Sequence, residues 1–85
     1  MSKKYPLIIA NWKMNLSIKD SVFTAKQLVK EYKKFKNSFE LVLAPSFPAL
    51  QAVGEVLKRS GVILGAQDVF WKSTGPYTGE VSPEV

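Results

Sequence analysis

The sequence predicts an α/β fold in which parallel strands alternate with helical crossovers. Three short apolar runs carry that reading: Leu7-Ile8-Ile9-Ala10, Leu41-Val42-Leu43-Ala44 and Val62-Ile63-Leu64-Gly65, each ending on a small residue. Continuous runs of this kind suit strands covered on both faces, as in parallel sheets flanked by helices. The segments between them repeat their apolar residues at helical intervals, which supplies the crossovers.

After the first run, Ser17 followed by Asp20 forms a capping box with Asp in place of the commoner Glu, opening a helix near Ile18. Ile18, Val22, Ala25, Val29 and Tyr32 share one face, widened by Leu28 and Phe35, and that face is expected to cover the sheet. Lys36-Asn37-Ser38 ends the helix, and a second strand begins near Glu40. In the second crossover Pro45 and Pro48 bracket a turn, Ser46 is a candidate cap, and Leu50, Val53, Val56 and Leu57 give a helical stripe. Gly61 supplies a left-handed residue at the helix end, one step before the third strand. Consecutive right-handed β-α-β units leave two architectures, an open doubly wound sheet or a closed (β/α)8 barrel, and periodicity does not choose between them.

Residues 67–81 show neither period over about fifteen positions, longer than ordinary connections and typical of functional or disordered loops. Phe70, Trp71 and Tyr77 are costly to leave wet, while Gly75-Pro76 and Gly79 permit a tight tip. Ser82-Pro83-Glu84 is a helix start, with a capping Ser, Pro at the first helical position and an acid in the first turn. The chain is therefore expected to be the N-terminal part of a single domain, residues 1–85, truncated at the start of its third helix.

Composition narrows the function classes. The 85 residues are 46% hydrophobic and 22% charged, suited to one small core and free of low-complexity tracts. No apolar run approaches the ~20 residues of a membrane span, and the stretch after the N-terminal lysines is too short for a signal peptide. A cytosolic N-terminus is expected. Cysteine and histidine are both absent, which removes disulfide and thiolate-metal chemistry and the commonest neutral-pH general base. The net charge of +5 raises nucleic acid as a partner. Lys30, Lys33, Lys34 and Lys36, however, crowd one helix end, where cations complement the helix dipole. A basic nucleic-acid-binding or non-catalytic α/β module is the alternative; it requires salt-dependent DNA or RNA binding that is lost when Lys33, Lys34 and Lys36 are neutralised.

In parallel α/β folds the chemistry gathers at the carboxyl ends of the strands. Strand alternation extended past the first run places Ile9, Asn11 and Lys13 on one side and Ala10 and Trp12 on the other. Asn11 then offers an amide donor and Lys13 a fixed positive charge, a pair suited to a small anion bearing a carbonyl or phosphate.

Three blocks resemble the triosephosphate isomerase family. Ile9-Ala10-Asn11-Trp12-Lys13-Met14-Asn15 is similar to the signature after its first strand, Gly65-Ala66-Gln67-Asp68 to its third strand end, and Gly75-Pro76-Tyr77-Thr78-Gly79-Glu80-Val81-Ser82-Pro83 to the tip and exit of its third loop. The resemblance runs from about Leu7 to Pro83. It implies a (β/α)8 TIM barrel, of which this chain supplies the first three strands, the first two helices and the third loop. A barrel of roughly 250 residues in eight units would spend a little under three units on such a length.

The resemblance also implies interconversion of dihydroxyacetone phosphate and glyceraldehyde 3-phosphate through an enediolate, in glycolysis and gluconeogenesis, by a cytoplasmic homodimer needing no metal or organic cofactor. Lys13 would be catalytic and substrate-binding, with Asn11 donating to the substrate oxygens. Met14, Asn15, Gln67 and Thr78 would lie at the dimer interface, where the third loop enters the second subunit. The family's glutamate base and neutral histidine electrophile, a worked case in general accounts of catalysis, match nothing here. Glu31, Glu40, Glu55 and Glu84 fall in the wrong places, and Glu80 lies in the right region but matches a family residue that acts in structural ion pairing, so the 85 residues alone are expected to be inactive and, with two open sheet edges, prone to aggregation. Two positions depart from the pattern: Leu16 stands where the family often has glycine, and Pro76 where a small or aromatic residue is frequent.

Overall fold

In a computed structural model, residues 4–35 and 37–84 are described; Met1 to Lys3, Lys36 and Val85, and with them the Lys36 part of the basic cluster and helix end, lie outside the described residues. The strands are β1 (Leu7–Asn11), β2 (Glu40–Ala44) and β3 (Ile63–Leu64), and the helices α1 (Ile18–Tyr32) and α2 (Leu50–Leu57). The sheet is parallel in the order β1-β2-β3. This is the predicted β-α-β-α-β succession. β3 is shorter than its apolar run, although Gly65 N still donates to Leu43 O at 2.9 Å.

Register divides the sheet into two faces. Ile8 pairs with Leu41, Ala10 with Leu43, and Leu43 with Leu64. Leu41 and Leu43 on this side are buried with Ala25, Val53 and Leu57 of the helices, and Ala10 and Trp12 pack against the same cluster. The other face carries Leu7, Ile9, Val42, Ile63 and, at its upper end, Asn11. Leu7, Ile9 and Ile63 there are exposed. Helices thus cover the middle of one face, leaving Ile8 and Leu64 at its margins exposed, while the other presents apolar residues outward, the division expected of a sheet that belongs in a barrel.

The ends of α1 follow the sequence reading in part. Ser17 Oγ accepts from Asp20 N at 3.1 Å, as an N-cap should. α1 stops at Tyr32, a 3-10 turn covers Lys33–Phe35, and Asn37 at φ 67° supplies the left-handed residue. The buried stripe is rotated from the one expected: Ser21 and Ala25 are at its centre, while Ile18 and Phe35 are exposed. The close backbone neighbour of α1 is α2, and a large side chain at either of these fully buried positions would have to displace what packs on it. The Ser46 cap is not made; a 3-10 turn over Phe47–Ala49 intervenes and Ala49 stands at the α2 N-cap. Gly61 is left-handed as expected, φ 85°, but lies in the connection beyond α2, whose exit also bends at Arg59, φ 62°.

The Ser21 hydroxyl is fully buried and has no hydrogen-bond partner among the described residues. A buried polar group without a partner keeps its desolvation cost, about 1–3 kcal/mol. Ser21→Ala is therefore expected to stabilise the fold by about 1 kcal/mol, read as a higher urea midpoint at unchanged slope. A lower midpoint would show that the hydroxyl has a partner in solution.

Candidate functional site

The carboxyl ends of the three strands bring residues 11–16, 44–46 and 65–68 to one edge of the sheet. β1 ends at Asn11, with Trp12 N still donating to Ala44 O at 3.1 Å. Lys13 then turns into the left-handed region at φ 59°, and Leu16 does the same at φ 72°. Strand alternation therefore does not reach Lys13, and the joint projection of Asn11 and Lys13 inferred from it is replaced by a turn. That turn is held locally: Asn11 Oδ1 accepts from Lys13 N at 2.8 Å, and Asn15 Nδ2 donates to Trp12 O at 2.9 Å.

The Asn11 bond decides which way its amide faces. With Oδ1 turned toward the Lys13 N–H, the NH2 group is left to donate outward. Lys13 is exposed and takes part in no ion pair among the described residues. By contrast Lys34 pairs with Glu31 at 3.2 Å and Lys58 with Glu55 at 3.1 Å, so part of the lysine-rich surface is locally compensated. A left-handed backbone costs a non-glycine residue roughly 1–3 kcal/mol, and such strain is concentrated at functional sites. Two such residues within one turn mark it out, and the conformation at Leu16 is one that favours glycine.

Gln67 is half-buried beside this turn. Its Nε2 donates to Lys13 O at 2.9 Å and to Ala44 O at 2.8 Å. The resemblance implies only an interface position for Gln67; its bonds within the chain span separations no local pattern reveals.

The long loop closes on itself through Phe70 N to Val81 O at 2.8 Å and Ser82 Oγ to Ser73 O at 2.6 Å. Ser82 Oγ also accepts from Glu84 N at 3.0 Å, the bond a capping serine makes. Phe70 packs against Tyr77 with ring centroids 4.6 Å apart, and Lys72 Nζ lies 4.7 Å from the centre of the Trp71 ring. A Cβ at Gly75 would overlap the Tyr77 ring, so the tip needs glycine there. Trp71 (78% exposed) and Met14 (95%) are left open, as are Asn15 and Thr78.

A family model described as Triosephosphate isomerase matches residues 6–85, which take in this turn, Gln67 and the whole loop. The chain belongs to the triosephosphate isomerase family. It is 40% identical over 78 residues to the triosephosphate isomerase of Thermoanaerobacter pseudethanolicus, covering 92% of this chain and 31% of the relative. It is 47% identical over 75 residues to that of Treponema pallidum strain Nichols, covering 88% and 29%. The enzyme of Pelobacter propionicus is 42% identical over 78 residues, covering 92% and 31%. The chain thus spans about three-tenths of the length of the curated triosephosphate isomerases it matches. Family membership decides between the two architectures left open by periodicity: the three strands and two helices are the opening of a (β/α)8 barrel.

No helix among the described residues is long and apolar enough to cross a membrane.

Proposed function

We propose that these residues form the charge-stabilising part of an active site that interconverts dihydroxyacetone phosphate and glyceraldehyde 3-phosphate. A base removes a proton from the carbon next to the ketone; the freed electron pair forms a carbon–carbon double bond and the carbonyl electrons move to oxygen, giving an enediolate. A proton then passes from the hydroxyl on the carbon that lost its proton to the former carbonyl oxygen, and proton return at the former carbonyl carbon leaves the aldehyde and completes the isomerisation. Lys13 places its ammonium against the substrate phosphate and the charged oxygen, and the Asn11 NH2 donates to the same oxygens. Charge developing in a water-poor site is where a preorganised cation and donor act most strongly.

The observation that carries this reading is the 2.8 Å bond from Lys13 N to Asn11 Oδ1, which fixes the lysine turn and frees the amide donors together. Base and electrophile come from outside these 85 residues, which hold no histidine, so the chain alone does not turn over. The working form is a cytosolic homodimer of glycolysis and gluconeogenesis, with Met14, Asn15, Gln67 and Thr78 near the contact. The substrate carries its own reacting carbonyl, so the mechanism calls on no cofactor.

The test is a joined enzyme, residues 1–85 continued by the remaining length of the Treponema pallidum relative. It is expected to isomerise dihydroxyacetone phosphate as a dimer. A folded dimer without isomerase activity would overturn the proposal.

A further inference from the structure

The isomerase reading gives Lys13 a task but leaves open what holds its strained backbone. Two peptide groups flank the Lys13 Cα, and each is secured by a side chain. The one before it gives its N–H to Asn11 Oδ1 at 2.8 Å, and the one after it presents its carbonyl to Gln67 Nε2 at 2.9 Å. The second hydrogen of the same nitrogen goes to Ala44 O at 2.8 Å. Ala44 O also receives Trp12 N at 3.1 Å, so one carbonyl at the end of β2 is bound both to the backbone just before Lys13 and to the amide that grips the backbone just after it. A left-handed non-glycine residue persists only where its surroundings over-determine it. Gln67, standing just beyond β3, supplies the long-range part of that constraint.

We propose that Gln67 is a positioning residue for Lys13: its amide fixes the peptide after Lys13, and with it the direction in which the ammonium leaves the turn. The proposal rests on the isomerase reading for the meaning of that direction. The chemistry at position 67 is specific, because both partners are carbonyl oxygens and only a nitrogen with two hydrogens satisfies them together. Methionine keeps the length and volume and removes both donors. Glutamate would set a carboxylate against two carbonyls.

In the joined enzyme, Gln67→Met is expected to lower kcat/KM by about 10²-fold, the cost of displacing a catalytic group by about 1 Å, and Gln67→Glu by more. The variant should remain a folded dimer. Affinity for glycerol 3-phosphate, which has the substrate's phosphate but no carbonyl, is expected to fall with it. The deciding readout is the same affinity in a Lys13→Ala background, where Gln67→Met should cost less than about 2-fold because its route of action is gone.

Unchanged kinetics and affinity in Gln67→Met would overturn the proposal, as would equal losses of affinity in both backgrounds or a loss of activity that tracks dissociation of the dimer. Should Gln67→Met not fold, Gln67→Asn, which keeps the donors on a shorter arm, is read by the same criteria. An inactive parent enzyme overturns the isomerase reading instead; an active parent indifferent to Gln67 overturns only this inference.

Discussion

Lys13→Ala in the joined enzyme is expected to reduce kcat/KM by about 10³-fold, while Lys33→Ala changes it by less than 2-fold. The figures follow from distance and dielectric. A cation about 4 Å from a developing oxyanion is worth about 4 kcal/mol at an effective dielectric near 20, which is about 10³-fold in rate. Lys33 lies just beyond the far end of α1, a helix of 15 residues and so about 22 Å long, whose N-terminus adjoins the Lys13 turn. Across that distance in water the same interaction is a few tenths of a kcal/mol, and salt screens it further because the Debye length is about 8 Å. Steady-state kinetics at two ionic strengths checks both. Comparable losses from the two substitutions would mean that general surface charge, and not a placed cation, serves the reaction.

The second large effect concerns the sheet. Leu43→Ala is expected to destabilise the joined enzyme by about 2–5 kcal/mol, because Leu43 on the middle strand is fully buried in the cluster that includes residues of both helices. Ile9→Ala is the informative companion. Ile9 is 60% exposed on the opposite face in the 85 residues alone, where truncation would cost little. In a closed barrel the same face is the packed interior, and the loss should rise into the range of Leu43→Ala. Urea unfolding of both variants, read at constant slope, gives the comparison. A small effect of Ile9→Ala in the joined enzyme would show that the sheet does not close with that face inward.

Much of the fold was legible because its signals are local. Apolar runs ending on small residues marked the strands, and Ser17 announced α1 and caps it through Asp20 N. Burial on α1 was harder. Ser21 has the chemistry of a surface residue, yet it is fully buried while the apolar Ile18 is exposed. The choice of barrel over open sheet came from resemblance, since both architectures demand the same periodicities.

The site divides in the same way. Asn11 follows from strand alternation, but the period breaks at Lys13, and nothing in the propensity of lysine marks a left-handed φ of 59°. The role of Gln67 lies further from view. Its amide reaches residues 54 and 23 positions earlier, a convergence made by the sheet and invisible in any local window. The aromatic residues of the long loop announced a need for cover; the turn of Tyr77 onto Phe70 answers part of it, and Trp71 remains open.

The most direct test of the central claim is reconstitution of isomerase activity. Residues 1–85 alone and the remaining length of the Treponema pallidum relative alone should each be inactive, the two joined should interconvert dihydroxyacetone phosphate and glyceraldehyde 3-phosphate, and Lys13→Ala should lower that activity by the same factor of about 10³. Turnover by the 85 residues alone, or undiminished turnover by the joined enzyme without Lys13, would contradict the assignment of the electrostatic part of the site to this chain.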